Sequence, residues 1–331
     1  MATIGNVGTY LYDSYAHSSS NREDLVDFIA NIDPYDTPLT VLLGKTSARS
    51  TIHQWQIDDL LASSTTGLIE GADFSLSTIE APSRVTNQCM IVGKDIAATE
   101  SQRQENPAGF GDTYTYQLEK GTRETMRNIE KILMADISQT TANSATGRVM
   151  KTLEDFITTT VYDGADFQGV VGDATHAGVF NANDVNHILN DIWDQGGKTD
   201  LIVMNGAYKR QFSALTTSNT RNVLASDKKV VVGVDVYDSD FGLMPIQLNR
   251  WSPVSANTAS ASANATDVSG RVWFLQRSLL ALAWFRPLGH RLMGTRGDST
   301  AGQIRAELTL EVRNEKGLGV FTGVNNKSAV S

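Results

Sequence analysis

The apolar positions near the N-terminus predict two helices in succession. A capping box opens the first helix, over residues 20–32, and its apolar stripe stops before Pro34. A shorter helix follows, capped by Thr37 and stopped by Gly44. Residues 1–19 carry no such stripe, so they predict an extended arm ahead of the first helix.

Residues 113–137 predict one long helix with a narrow apolar stripe. Glu119 and Arg123 form an i,i+4 pair on its wetted side. Gly121 lies inside the helix, where it costs stability relative to alanine, and it therefore predicts a close approach of another backbone. The stripe consists of Leu118, Thr122, Thr125, Ile129 and Leu133.

The middle of the chain predicts a compact α+β lobe. Residues 183–193 have helical periodicity, the two glycines at 196–197 end that helix, and residues 201–204 form a short buried strand. A β-hairpin is predicted over 230–249. Residues 252–270 are of low complexity and nearly uncharged, which predicts a flexible surface loop.

Alternating patterns predict strands on both sides of the lobe. Residues 51–58 have one apolar face, and residues 84–92 are their expected partner. About 25 residues separate these strands, more than a compact domain usually leaves as plain loop, so they predict a two-stranded arm projecting from the body. Residues 304–313 alternate apolar and polar side chains before a turn at Lys316 and Gly317.

Composition indicates a globular chain with an acidic balance. The 331 residues are 40% apolar, enough for a sizeable core, and their formal net charge of −9 argues against broad binding to phosphate backbones. Cys89 is the only cysteine, which excludes an intramolecular disulfide and a cysteine-based zinc site. Neither a signal-peptide pattern nor an apolar run long enough for a bilayer occurs, so we expect a cytosolic protein with no membrane association.

The sequence motifs predict no catalytic, cofactor-binding or metal-binding residues, and hence no enzyme. Two Gly-Lys-Thr triplets, at 44–46 and 197–199, lack the upstream glycine that a phosphate loop needs. The five histidines have no ligand spacing, and His187 is expected at the surface. An Arg-Gly-Asp triplet at 296–298 and the aspartates at 235–240 are explained by turns.

Two adjoining stretches give the chain a specific resemblance. The stretch DPYDTPLTVLLGK, at 33–45, followed by the strand HQWQID, at 53–58, resembles the major capsid proteins of tailed bacteriophages. The resemblance implies an α+β fold with a long spine helix packed on antiparallel strands, a projecting β-hairpin arm and a separate α+β axial domain. It implies five divisions along the chain. Residues 1–45 form an N-terminal arm with short helices, residues 46–100 form the hairpin arm or E-loop, and residues 101–160 form the peripheral domain with the spine helix. Residues 161–270 form the axial domain, which includes the flexible loop 252–270, and residues 271–331 form C-terminal strands that return to the peripheral domain.

The resemblance also implies a function. Such a protein self-assembles through hexamers and pentamers into an icosahedral head shell, in the host cytoplasm, and resides in the virion. It encloses packaged double-stranded DNA without sequence-specific binding, and an acidic lining would let that DNA slide. Portal and head-decoration proteins are expected partners, and a separate scaffolding protein is expected because the chain has no long helical N-terminal extension. Two alternatives stay open, an encapsulin-like compartment shell and an enzyme whose site is unreadable from sequence.

The predicted subunit interface is the tip of the arm, residues 62–82. An isolated two-stranded arm cannot bury its own apolar side chains, so they are expected to pack on an adjacent subunit, with the acidic residues facing basic groups there. The predicted interface residues are Leu68, Ile69, Glu70, Asp73, Phe74, Leu76, Ile79 and Glu80.

Overall fold

The computed structural model describes residues 33–60, 81–105, 109–143, 145–163, 182–217, 235–254, 270–294 and 297–323, with residue 107 and isolated positions from 63 to 79. The predicted helix over 20–32 and most of the predicted loop over 252–270 lie outside these residues. In the described part, no helix is long and apolar enough to cross a membrane.

The short helix after Pro34 forms, but it ends differently from the prediction. Pro38 occupies its first position, as expected. The backbone is already extended at Leu43, and Gly44 begins a strand instead of stopping the helix. The helices are α1 Pro38–Leu42, α2 Glu100–Gln104, α3 Thr113–Leu133, α4 Leu153–Phe156, α5 Ala182–Asp194 and α6 Gly206–Thr217.

The strands form three sheets. A four-stranded sheet has the order β1-β10-β11-β4, a six-stranded sheet has the order β5-β12-β9-β6-β8-β7, and β2 pairs with β3 alone. The strands are β1 Gly44–Ser47, β2 Ile52–Ile57, β3 Ser83–Gln88, β4 Met90–Thr99, β5 Val161–Asp163, β6 Leu201–Met204, β7 Val236–Ser239, β8 Gly242–Leu248, β9 Arg271–Leu275, β10 Leu280–Leu292, β11 Ser299–Val312 and β12 Gly319–Thr322.

Helix α3 lies on the four-stranded sheet with its predicted stripe inward. Asp112 caps its start by accepting hydrogen bonds from the backbone N–H groups of Tyr114 and Thr115, both at 3.3 Å. Hydrogen bonds from the Thr115 hydroxyl and the Arg103 guanidinium lower the pKa of Asp112 to about 2. The helix stops at Leu133, four residues earlier than predicted, because the chain turns at the buried Met134.

Gly121 is a point of close approach, although not to a backbone. A Cβ atom at this position would lie 2.8 Å from Cδ1 of Ile304 on β11 and 3.6 Å from Cγ2 of Ile96 on β4. Both neighbours are side chains, so the prediction of a backbone contact was wrong. Because glycine has no side chain, α3 packs closely against Ile304 and Ile96, two branched residues of the sheet.

The α+β lobe follows the predicted order. Helix α5 buries Val185, Ile188, Leu189 and Ile192, and it closes at Gly196, whose φ of 86° suits a residue without a side chain. All four residues of β6 are buried in the middle of the six-stranded sheet. The predicted hairpin is present as β7 and β8. His187 is exposed, as predicted.

Strand β11 differs from its predicted pattern in its second half. The apolar side, from Ile304 to Val312, is buried as expected. The opposite side is buried as well at Glu307, Thr309 and Glu311. Arg148 and Arg286 lie against Glu307, and His53 of β2 lies against Glu311. The alternation therefore identified the strand, but it could not reveal that both faces are covered.

The C-terminal strands divide between the two larger sheets. Strands β10 and β11 lie beside β4 under α3, whereas β9 and β12 pair with each other in the six-stranded sheet of the lobe. The expectation that all of these strands return to the sheet of the long helix is therefore wrong for β9 and β12. One apolar cluster joins both sheets, since it contains Leu308 and Leu310 of β11 together with Trp273 of β9 and Val320 of β12.

Candidate assembly surfaces

The base of the two-stranded arm completes the ladder of β11. The pairing of β11 with β4 ends at Leu308 opposite Met90. Beyond that point the Leu310 carbonyl accepts a hydrogen bond from Asn87 Nδ2 at 2.8 Å, and the Val312 carbonyl accepts one from Trp55 Nε1 at 2.7 Å. Side chains of β3 and β2 thus take the positions that a neighbouring strand would fill, which fixes the arm to the body.

Glu311 joins three segments of the chain beside this base, namely β1, β2 and the end of β11. Its carboxylate accepts hydrogen bonds from the Thr46 hydroxyl at 3.1 Å and from Arg313 Nε at 3.0 Å, and it lies 3.1 Å from His53 Nε2. Burial alone would raise the pKa of Glu311. The hydrogen bonds from His53, Arg313 and Thr46 outweigh burial, so this pKa lies below its ordinary value.

Beyond its base the arm exposes apolar surface. The side chains of Leu60, Ile69 and Ile79 are 99%, 80% and 92% exposed, and the predicted interface acids Glu70 and Asp73 are exposed too. Isolated exposed aliphatic residues are common, but three within about 20 residues of one another leave apolar area uncovered in the isolated chain. The remaining predicted interface residues lie outside the described part of the chain: Leu68, Phe74, Leu76 and Glu80.

A buried carboxylate anchors the chain where the N-terminal segment enters the body. Glu130 of α3 is fully buried, and its two oxygens accept hydrogen bonds from the backbone N–H groups of Leu39 and Thr40, each at 2.8 Å. The Thr40 hydroxyl at 2.5 Å and Asn249 Nδ2 at 2.6 Å complete the set. One carboxylate therefore joins α1, α3 and the turn after β8.

Aromatic and charged groups cover this anchor on its outer side. Trp251 Nε1 donates to the Asp36 carbonyl at 3.0 Å, and the Arg127 guanidinium lies over the Trp251 ring at 5.7 Å from its centroid. Arg123 lies over the Tyr35 ring in the same way, at 5.5 Å. Residues 33–43 consequently have a defined direction along α3.

Sequence reasoning missed both anchoring sites. Glu130 reads as an ordinary surface glutamate because it follows Ile129 on a helix rich in charge, and Asn87 reads as a routine polar position in a strand. The only signal for the Glu130 site was weak. The short helix at 38–42 has no acidic residue in its own first turn, so a carboxylate for its N–H groups had to come from elsewhere. Its partner carboxylate lies 90 residues away in sequence, a separation that no local pattern reports.

A second buried glutamate is neutralised by arginines. Glu307 of β11 accepts hydrogen bonds from Arg148 at 2.5 Å and from Arg286 at 2.7 Å. Burial, followed by the Glu307 charge, raises the pKa of the nearby Cys89 thiol to about 11. Cys89 therefore carries a protonated, buried thiol at neutral pH, which is a packing role and not a reactive one.

The two Gly-Lys-Thr triplets have no phosphate-loop geometry. Gly44, Lys45 and Thr46 form strand β1, and Gly197 donates its backbone N–H to the Ile192 carbonyl at 2.8 Å to close α5. Among the described residues, His, Cys, Asp and Glu form no group of three or more suited to holding a metal ion.

Comparison with known proteins identifies a family. The profile of the SU10 major capsid protein family matches residues 7–325. The major capsid protein of Escherichia phage Phieco32 is 24% identical over 303 residues, a match that covers 78% of this chain and 85% of that protein.

Solved structures share the fold. The capsid of a native GTA particle superposes with a TM-score of 0.61 at 11% identity, covering 94% of this chain and 99% of that one. The encapsulin of the holo-SrpI complex from Synechococcus elongatus PCC 7942 superposes with a TM-score of 0.57 at 14% identity, covering 97% and 98%. The predicted tailed-phage capsid fold is confirmed. The chain belongs to the SU10 major capsid protein family, and it is a phage major capsid protein that forms the icosahedral head shell.

Proposed function

We propose that the tip of the arm, residues 62–82, is the principal contact between neighbouring subunits of the shell. The observation that carries this proposal is the contrast between its base and its tip. The base is fixed to β11 by Trp55 and Asn87, whereas Ile69 and Ile79 are almost fully exposed in the isolated chain. A segment that leaves apolar side chains uncovered beyond an attached base gains free energy by packing them on a second copy.

In this proposal the arm tip packs its apolar residues on the adjacent subunit, and its acidic residues face basic groups there. Shell assembly requires individually modest contacts, of roughly 4–8 kcal/mol each, so that misplaced subunits can leave before several contacts hold them. Subunits combine as hexamers and pentamers. The sheet that carries α3 acts as the peripheral domain, and the six-stranded sheet with α5 and α6 forms the core of the axial domain.

We further propose the partners that such a shell requires. Assembly takes place in the host cytoplasm on a separate scaffolding protein, and the completed shell binds portal and head-decoration proteins. Double-stranded DNA is enclosed without reading of its sequence. The chain has a structural role and no catalytic one; nucleotide binding by the purified chain that Lys45→Ala or Lys198→Ala abolished would contradict this.

The experiment that tests the arm replaces residues 62–82 with a short Gly-Ser turn. We expect the variant to keep its circular dichroism and a cooperative melt, because the described core contacts of the arm are made by its base. We also expect it to elute as monomers or small oligomers in size-exclusion chromatography. An aggregated or unfolded product would mean that the segment belongs to the protein's own core, and normal shells would contradict the proposal outright.

A matched pair of double variants keeps the arm at its full length. Ile69→Ser with Ile79→Ser should impair assembly, whereas Val236→Ser with Leu243→Ser should not. The control pair lies on the hairpin of the lobe, and its side chains are also more than half exposed. Equal loss of assembly in both pairs would mean that general surface hydrophobicity, and not the arm, drives association.

An encapsulin-like compartment is the competing function, because the fold is shared with an encapsulin. The match over residues 7–325 to a phage capsid family favours the head shell. The contents of particles purified from the native source separate the two functions. A head shell yields DNA protected from nuclease, and a compartment yields packaged protein.

A further inference from the structure

The outward face of α3 carries only positive charges. Successive residues of an α-helix are rotated by about 100°, so residues 120, 123, 127 and 131 fall within an arc of about 80°. That arc is opposite the buried residues Gly121, Thr125 and Ile129. We call this surface the basic ridge, and it consists of Lys120, Arg123, Arg127 and Lys131.

The acidic residues of α3 lie beside the ridge and are all engaged. Glu119 pairs with Arg123 at 2.5 Å, and Glu124 pairs with Lys94 of β4. Glu130 is buried in the anchor of α1. In the described part of the chain, the ammonium groups of Lys120 and Lys131 have no acidic partner, and both side chains are exposed.

The two central cations are held in place. Arg123 lies over Tyr35 and Arg127 over Trp251, so neither guanidinium samples the wide range of positions open to a free arginine. The ridge therefore presents charges at intervals of three or four residues, over a length of about 16 Å. Like charges at this spacing repel along a helix, and within α3 only Arg123 has an acidic partner that offsets the repulsion, Glu119.

The composition of the ridge favours a polyanion over a folded protein as its occupant. Protein interfaces are depleted of charged residues at their centres, and the ridge has no aliphatic side chain at its centre. The nearby rings of Tyr35 and Trp251 are already engaged with guanidinium groups. Regularly spaced fixed cations match the repeating charge of a phosphate backbone, which supplies affinity without reading sequence.

We propose that the basic ridge contacts the phosphates of enclosed double-stranded DNA, and that the outward face of α3 therefore lines the interior of the shell. The inference rests on the proposed enclosure of DNA. It also modifies the expectation of an acidic lining, because the net charge of −9 coexists with a local positive track. Four contacts per subunit would hold the outermost DNA layer loosely, since each is weak and screened by salt.

The test measures binding of the unassembled full-length chain to a fluorescent 30-base-pair duplex by anisotropy, at several salt concentrations. Lys120→Gln with Lys131→Gln removes the two unpaired ridge cations. Lys45→Gln with Lys198→Gln removes two exposed lysines on other elements, and so makes the same change in net charge. Poly-L-glutamate serves as a second probe that carries negative charge without phosphate.

For the native chain we expect the logarithm of affinity to fall with the logarithm of salt concentration with a slope of about −3.6, for four contacts. The ridge variant should reduce this slope to about −1.8 and weaken binding at 50 mM salt at least about tenfold, while the control variant changes neither. Equal effects in both variants, or no binding by the native chain, would overturn the proposal. Loss of poly-L-glutamate binding with DNA binding unchanged would overturn it in favour of an acidic protein partner.

A second measurement uses DNA-filled particles, in which the ridge acts in many copies. Formaldehyde cross-linking followed by peptide mapping should give DNA adducts at Lys120 and Lys131, and few at Lys45 and Lys198. The reverse distribution would put the ridge on the outside of the shell and contradict the proposal. Neither measurement depends on the arm, so either can fail while the proposed role of the arm stands.

Discussion

Residue 121 is a place where one methyl group decides how closely α3 approaches the sheet. A glycine in a helix interior costs about 1 kcal/mol relative to alanine, and here it leaves room for Cδ1 of Ile304. That atom belongs to a buried side chain, which has little freedom to move aside. The gain in helix propensity and the steric cost therefore oppose each other at this position.

We expect Gly121→Ala to lower the free energy of unfolding by about 1 kcal/mol. Overpacking typically costs about 1–3 kcal/mol, which exceeds the propensity gain. Chemical denaturation of the unassembled chain measures the change.

The Ile304→Val background separates the two effects, because valine lacks Cδ1. There we expect Gly121→Ala to raise the free energy of unfolding by up to about 1 kcal/mol, the propensity gain alone. If alanine has the same effect in both backgrounds, Ile304 is not the limiting contact.

At this scale the sequence predicted the position and not its partner. A glycine inside a long apolar stripe indicates a close approach, and that part was correct. The neighbour, Ile304, is set by how α3 is aligned with β11, a strand almost 200 residues further along the chain. Helical periodicity does not contain that alignment.

At the scale of elements, Glu130 orients α1. A five-residue helix is too short to be stable alone, and its first N–H groups would be unsatisfied without this carboxylate. The anchor therefore determines the direction in which the N-terminal segment leaves the body, before any neighbouring subunit binds it.

We expect Glu130→Gln to lower the free energy of unfolding by about 2–3 kcal/mol. An amide provides one acceptor oxygen in place of two. Its NH2 group would face either the Leu39 N–H and Asn249 Nδ2 or the N–H and hydroxyl of Thr40. The same change should speed tryptic cleavage at Lys45, since α1 loses its attachment.

Glu119→Gln is the matched control on the same helix. Its ion pair with Arg123 is exposed, so its removal should cost no more than about 1 kcal/mol. Similar losses in the two variants would show that Glu130 contributes only as a surface charge does.

The predictability of the elements follows their length and periodicity. Helices α3 and α5 and strands β2, β6 and β11 were readable because each repeats a simple spacing several times. Strand β1 was missed, because four residues following a short helix carry no pattern, and only its pairing with β10 makes it a strand.

At the scale of the whole molecule, Glu311 connects positions up to 265 residues apart. The pKa of its carboxyl is lowered in the folded protein, so ionisation of Glu311 stabilises the fold above the unfolded pKa. The ordinary pKa of this carboxyl is 4.5. The stabilisation is lost as the pH falls below 4.5 and through the lower pKa of the folded state.

We expect Glu311→Gln to lower the free energy of unfolding by about 1–2 kcal/mol at pH 7, since it weakens charge-assisted hydrogen bonds. The difference from the native chain should shrink as the pH falls from 4.5 to 3. Urea denaturation at a series of pH values measures it. A difference that stays constant over this range would mean that the charge of Glu311 is not what stabilises the arm base.

The general architecture was predictable at this scale, whereas the association of the sheets was not. The order of arm, long helix, lobe and terminal strands follows from successive local patterns. The placement of β9 and β12 in the sheet of the lobe does not, because an apolar strand can pair in either sheet. The covering of the polar side of β11 likewise depends on groups distant in sequence, His53 at Glu311 and Arg148 at Glu307.

The pairing of β11 has a mechanical consequence. This strand is about 45 Å long, and it is bonded to β4 from Ser299 to Leu308 and to β10 from Gly302 to Val312. Its hydrogen bonds lie perpendicular to the strand direction. A force that pulls β11 along its axis against β4 and β10 would therefore load many hydrogen bonds in shear at once, instead of opening them one after another. In a pressurised shell, tension directed along β11 would be carried by this ribbon, from the end near Glu100 to the attachment of the arm.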